Sequence, residues 1–256
     1  PRGCRPTSPK AQRQHRWPDM PRHLLIRLSS PLIAFGGETI DNLGVIRDFP
    51  ALSMVTGLIA NALGWDRGDD SLHNHLQTRL RMGARLETPG ERVTDFQTAQ
   101  LGANDKAWTT WGTVEERRGG AASYDSPHLR YRDYHADLTA LLALRLEPAD
   151  ESPTLDDVAQ ALDRPQRPLF IGRKPCLPVG RLVAGWVEAD SVLQALQLVP
   201  LTTSERGLRA QWPDGEGQLP GDRLVDVCDE RNWTSGVHGG WRPVREGLIQ
   251  TAGNMS

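Results

Sequence analysis

The segment from Phe49 to Asp70, FPALSMVTGLIANALGWDRGDD, constrains the fold most. Pro50 is tolerated only before or within the first turn of a helix. Ser53 is the expected N-cap, its hydroxyl accepting from first-turn amides. Leu58, Ile59, Ala62 and Leu63 then recur at helical spacing. Gly64 is placed to end the helix in a left-handed cap. The spacing predicts a short helix over Ser53–Leu63 with one apolar face, which must pack on something larger than itself.

A second tract, RPLFIGRKPCLPVGR from Arg167 to Arg181, predicts a stiff basic turn. No acid lies between Arg164 and Val187, while Arg164, Arg167, Arg173, Lys174 and Arg181 are all cationic. A helix start and a basic glycine turn both seat anions. The anion expected at both is the backbone of RNA.

Composition narrows the alternatives. A chain of 256 residues buries a core without staples. Its formal net charge of −2 excludes a uniformly basic nucleic-acid binder, yet allows a local basic groove. Lys occurs only at positions 10, 106 and 174, so the cations are almost all Arg, which suits bidentate phosphate contact as well as a GC-rich genome. Cys4, Cys176 and Cys228 stand singly, with neither zinc-ligand nor disulfide spacing. That pattern fits a reducing cytoplasm. No apolar run is long enough to span a bilayer. Residues 1–19 are basic and proline-bearing without an apolar stretch, and are expected to be a disordered extension ahead of Met20.

Along the chain, Leu24–Leu28 reads as a central strand, and Ser29–Asp48 as a long glycine-bearing connection of the kind that carries function. Leu76–Leu86 reads as a strand with Arg79, Arg81 and Arg85 on one face. Glu91–Gln97 is its expected hairpin partner across Pro89-Gly90. Thr98–Pro127 is polar and glycine-rich, an insertion rather than a connector. Arg132–Leu146 reads as a strand region. Thr154 and Asp157 form a capping-box pattern opening a helix to Leu162. Leu169–Ile171 and Val183–Val187 are short strands, Asp190 is the expected cap of a helix to Leu198, and residues beyond Thr202 are β-like.

Four tracts in this order resemble the CasD family of CRISPR-associated proteins: LLIRLSSPLIAFG from Leu24, the turn-helix above, RDYHADLTALLAL from Arg132 and FIGRKPC from Phe170. The likeness runs from about Leu24 to Trp241. It implies an α+β fold with a ferredoxin-like (RRM-like, RAMP) core over residues 20–97 and 128–200, an inserted thumb-like β-hairpin at 98–127 and a β-rich segment at 201–256. It also implies a non-catalytic subunit of the type I-E Cascade complex that holds the 5′ handle of the CRISPR RNA (crRNA). Its partners would be the backbone and large subunits, and it would need no cofactor, metal, membrane or small-molecule substrate. Family members usually carry a PTRSG-like run before the helix. Here that run is Pro50-Ala51-Leu52-Ser53-Met54, which shifts weight to the basic turn and to Arg47.

The expected RNA contacts are therefore Gly172, Arg173 and Lys174 first, then Arg27, Arg47 and Ser53. Gly172 lets backbone approach a ligand closely, and the adjacent cations face phosphate oxygens. Trp108 and Trp111, in the polar insertion, suit base stacking or partner docking. The alternative function is a metal-independent endoribonuclease that processes CRISPR repeat RNA. It would need a His or Lys acid–base pair. His73 and His75 are read as loop residues, and Tyr134, His135 and Asp137 as structural. No phosphate-loop, zincin or serine-hydrolase motif is present in the sequence.

Overall fold

The computed structural model describes residues 20–100, 107–108, 114–115, 127–200 and 207–250. Its strands are β1 (Arg22–Ser29), β2 (Leu32–Ile33), β3 (Gly36–Ile40), β4 (Leu43–Ile46), β5 (Leu80–Thr88), β6 (Glu91–Ala99), β7 (Ala107–Trp108) and β8 (Val114–Glu115). They continue with β9 (His128–Ala136), β10 (Thr139–Leu146), β11 (Val183–Glu188), β12 (Leu208–Pro213), β13 (Arg223–Val227) and β14 (Arg242–Ile249). The helices among the described residues are α1 (Leu52–Leu63), α2 (Asp70–Arg79), α3 (Leu155–Asp163) and α4 (Val192–Leu198). It is a mixed helix-and-sheet architecture dominated by antiparallel pairing.

The main sheet has seven strands in the order β11-β1-β10-β5-β12-β14-β13. β1 pairs antiparallel with both β10 and β11, and β10 antiparallel with β5. Helix α1 lies between β1 and β5 in sequence, and α3 between β10 and β11. The sequence of β10, TALLALRL, is nearly continuous in apolar residues because both faces of this strand are covered. On one face Leu24, Ile26 and Leu28 of β1 join Val55, Ile59 and Ala62 of α1 and Val158 and Leu162 of α3 in the larger core. On the other, Leu25, Leu141 and Ala143 pack with Val192, Leu193 and Leu196 of α4 and with Trp212. Strand β14 pairs antiparallel with both β12 and β13, and β12 joins them to β5 through Ala210 and Gln211 against Arg85 and Ala84.

A second sheet, β2-β9-β4-β3 with β6 also on β9, stands beside the first. The Ser29–Asp48 connection is thus not open loop: it contains β2, β3 and β4. β6 is the strand expected after Pro89-Gly90, but its partner is β9 over nine residue pairs, from Glu91↔Ala136 to Ala99↔His128, and not β5. Gly90, at φ +65, turns the chain out of the main sheet, with Ala136 and Leu138 backbone packed too close for any β-carbon there. The Arg132–Leu146 region is likewise two strands in different sheets, bent at Asp137 (φ 55).

Two further expectations are corrected. Leu76–Arg79 is helix, not strand: His73, Leu76, Gln77 and Arg79 are the buried positions of α2. Arg79 there turns inward, and its guanidinium donates to the carbonyls of Pro148, Glu151, Ser152 and Pro153. The cap of α4 is Ser191, one residue beyond Asp190, because its hydroxyl reaches the Gln194 amide at 3.2 Å. The Thr154–Asp157 capping box forms as its spacing requires.

His23 on β1 is fully buried, and its Nδ1 donates to the Pro21 carbonyl at 3.1 Å while Nε2 has no partner. Burial first, and the Arg145 charge second, hold its pKa below the ordinary 6.5. The unfolded chain therefore takes up this proton at a higher pH than the folded one, and stability falls as pH drops through that window. Urea unfolding at about pH 7.5 and about pH 5.5 should show this loss, and His23→Gln should flatten the slope. An unchanged slope in that variant would assign the acid sensitivity elsewhere.

Candidate nucleic-acid interface

The start of α1 is not an open anion seat. Its N-cap is Ala51, which offers no side-chain bond, and Ser53 is buried inside the first turn. The capping group comes from the other end of the chain. Asp229 Oδ2 accepts from the Leu52 amide at 2.9 Å, and the Asp229 carbonyl accepts from the Ser53 amide at 3.0 Å. Arg242 grips the same carboxylate through Nε and Nη2 at 2.7 and 2.8 Å. A carboxylate in this position meets the helix dipole as a phosphate would.

The basic turn is also partly used internally. Gly172 has φ +84, and a β-carbon there would fall 1.7 Å from the Ala34 carbonyl oxygen, so the glycine admits protein backbone rather than RNA. Arg173 donates from Nη1 to the Asp133 carbonyl at 2.7 Å and from Nη2 to the Gly44 carbonyl at 2.8 Å. Its guanidinium also lies 4.8 Å from the centre of the Tyr134 ring. It stitches β4 to β9 where their parallel ladder has only the pairs Leu43↔Tyr131 and Gly44↔Arg132. Lys174 is exposed.

Arg47 is half-buried and donates to the Cys228 carbonyl at 2.6 Å, while its own carbonyl accepts from His135 Nε2 at 2.9 Å. Arg27 pairs with Glu87 at 3.1 Å. It shares its sheet face with Leu25, the face that α4 covers, so this sheet does not present an open surface of the RRM kind. Gly172, Arg173 and Arg47 do converge on one stretch, touching Ala34, Gly44 and Phe35 respectively; Arg27 lies apart from them. Trp108 falls in β7, which pairs with β8. Trp111 and the side chain of Trp108 lie outside the described residues.

A basic strip that the motif reading passed over runs beside the turn. Strand β9 alternates, and Arg130, Arg132 and Tyr134 point to one side. A β-carbon at Gly44 would fall 2.9 Å from Arg173 Nη2 and 3.6 Å from Arg132 Cγ, so these two arginines flank the same glycine. Among the described residues no carboxylate forms an ion pair with Arg130, Arg132 or Lys174. The other side of the strand carries an apolar row next to Asp133, which accepts from Thr94 Oγ1. Tyr131 aligns with Phe96 of β6 and with Leu43 of β4, which aligns with Ile40 of β3. All four are exposed, and the Phe96 and Tyr131 rings are 5.0 Å apart. Across the β6–β9 ribbon, Arg130 faces Gln97, and Arg132 faces Asp95, whose carboxylate accepts from Gln97 rather than from an arginine; Phe96 and Tyr131 lie on the opposite face, and Ala99↔His128 is the rung from which the insertion departs.

The model of the CRISPR-associated protein (Cas_Cas5) family matches residues 23–245. The chain belongs to that family. Among its relatives, the Cascade subunit CasD of the Escherichia coli K12 CRISPR system is 25% identical over 177 residues, covering 69% of this chain and 76% of CasD. A chain of a solved CRISPR RNA-guided surveillance complex superposes with a TM-score of 0.68 at 24% identity, with 90% of each chain covered. A crystal structure of a Cas protein superposes with a TM-score of 0.61 at 25% identity, covering 90% of this chain and 95% of the other.

Against that family frame, the histidines are placed by packing. His73 is not in a loop but in α2, buried between Trp65 and Trp233, and its Nδ1 lies 2.7 Å from the Asp69 carbonyl. His75 pairs with Glu151 at 3.0 Å. Among the described residues no cluster of three His, Cys, Asp or Glu side chains is arranged to hold a metal, and no helix is long and apolar enough to cross a membrane.

Proposed function

We propose that this Cas5-family chain is a non-catalytic, cytoplasmic RNA-binding subunit of a type I-E Cascade surveillance complex, and that it holds the 5′ handle of the crRNA. The strip Arg130, Arg132 and Lys174, organised around Arg173, carries the reading: cations without carboxylate partners are available to phosphate oxygens at little desolvation cost. The strand order β11-β1-β10-β5, with α1 and α3 as crossovers, is what a ferredoxin-like RAMP core requires, and supports that part of the reading. With the sheet face covered by α4, handle RNA runs along the second sheet toward the 98–127 insertion, which acts as the thumb. The apolar row Ile40, Leu43, Tyr131 and Phe96 on the reverse face suits a neighbouring protein subunit of the particle. Guide pairing, not this protein, reads the target.

Co-expression with the other Cascade subunits and a crRNA carrying photo-crosslinkable uridines tests this. Crosslinks from this chain should concentrate in the 5′ handle of uncut RNA. Crosslinks confined to the spacer or the 3′ end would overturn the assignment, and specific cleavage of repeat RNA in EDTA would favour the endoribonuclease reading.

A further inference from the structure

A cleft of about 610 Å³ opens on another part of the surface, where the end of α1, the start of α2, the Arg167–Phe170 segment and the loop at 231–236 meet. That size lies within the roughly 300–1,000 Å³ of small-molecule sites. Its walls combine three arginines, Arg67, Arg167 and Arg231, with three aromatics, Trp65, Phe170 and Trp233. One acid, Asp70, also lines it, and Asp70 accepts from the Ser71 amide at 2.9 Å.

The aromatic wall is built rather than incidental. The Trp233 ring stacks on His73 at 4.4 Å, and His73 meets Trp65 edge-on at 5.6 Å. Trp233 Nε1 donates to Gln77 Oε1 at 3.1 Å, and Gln77 also takes the Arg231 amide and gives to the Arg231 carbonyl. Gly64, at φ +80, ends α1 and sets Trp65 by a bond from its amide to the Ala60 carbonyl. Arg167 is aimed by bonds to the Trp65 carbonyl and to Asp66.

One of these cations is not fully satisfied by the scaffold. Arg231 lies over the Trp233 ring at 5.2 Å, and its Nε is buried without a partner. Burial, and then the like charge of Arg67, push the Arg231 pKa down from its ordinary value. Two guanidiniums that repel each other across an aromatic-walled cleft are relieved by an anion whose body is flat and apolar. A nucleotide has that chemistry: a base for the aromatic wall and a phosphate for the arginines.

We infer that this cleft takes a single unstacked nucleotide of the bound RNA, its base against the Trp65–Trp233 wall and its phosphate among Arg67, Arg167 and Arg231. The inference rests on the RNA-binding reading above but names a second contact, separate from the β9 strip. AMP titrated into the full chain, followed by tryptophan fluorescence, is the direct test. A saturable quench is expected at millimolar AMP and not with inorganic phosphate. Trp233→Phe should remove it, and Arg231→Gln should weaken it about tenfold. Arg67→Gln, at an exposed position on the rim and with its fold checked by a thermal melt, should weaken AMP similarly. Alanines at Arg130, Arg132 and Lys174 should leave the AMP response intact. No saturable quench, or one that the Arg231 and Arg67 variants keep, overturns the inference while leaving the strip reading standing. Loss of AMP response in the cleft variants, with full handle affinity in the strip variant, upholds the cleft and overturns the strip. A quench produced by partner subunits without RNA would make the cleft a protein contact and the inference wrong.

Discussion

Replacing Arg130, Arg132 and Lys174 together with alanine is expected to weaken binding of 5′-handle RNA about a hundredfold at moderate salt, and to leave the protein folded. Three phosphate contacts at about 1 kcal/mol each give that factor. Counterion release supplies a sharper signature. Each cation on a single strand contributes roughly 0.7 to the slope of log affinity against log salt, so the slope should flatten by about 2. The fold is expected to stay intact because none of the three forms an ion pair with a described carboxylate, and because Arg130 and Lys174 are exposed and Arg132 only half-buried; exposed substitutions change stability by about 0.5 kcal/mol or less. Fluorescence anisotropy across a salt series, with a thermal melt as control, reads both quantities. An unchanged slope would mean that the strip does not touch RNA. Arg173 is the wrong residue for this test despite standing in the most basic motif of the chain. Its removal frees the Asp133 and Gly44 carbonyls and unstitches β4 from β9, so lost binding would report lost structure.

This contrast shows what was legible in the sequence. Helix α3 was readable because its determinants are local: Thr154 and Asp157 satisfy each other within one turn. The buried strand β10 was readable because covering both faces leaves an apolar run. The start of α1 was not, since its cap sits 177 residues away at Asp229. A serine in the right place was a plausible cap until a better acceptor arrived through tertiary structure. The α2–β5 boundary was missed for a related reason. The alternation of β5 runs back without interruption into the last turn of a polar helix, and only the buried Arg79 fork anchors that turn. Gly172 and Arg173 were read as RNA contacts, but glycine freedom and guanidinium donors serve protein carbonyls as readily as phosphates, and here they do so. The strip did leave a signal, the every-second-residue cations of HLRYRDYH, visible once 128–136 is taken as one strand. The nucleotide cleft left none, because its arginines come from three separate segments.

Asp229→Ala is expected to cost about 3–5 kcal/mol of folding stability, the range for removing one partner of a buried ion pair. The carboxylate side chain is 3% exposed and Arg242 14%, so the orphaned guanidinium has little water to turn to. The first turn of α1 loses its cap at Leu52 as well. Since α1 supplies Val55, Ile59 and Ala62 to the larger core, loosening its start is felt by the main sheet and not by the helix alone. In urea the midpoint should fall with the m-value unchanged. Asp229→Asn keeps an acceptor for the Leu52 amide but loses the charge that Arg242 pairs with, and should lie between wild type and the alanine variant. Phosphate separates capping from packing. With the carboxylate gone, the helix start and Arg242 together form an open anion seat, so inorganic phosphate should stabilise Asp229→Ala more than wild type. Equal stabilisation of both would show that Asp229 acts through packing, and that the start of α1 never offered a phosphate seat.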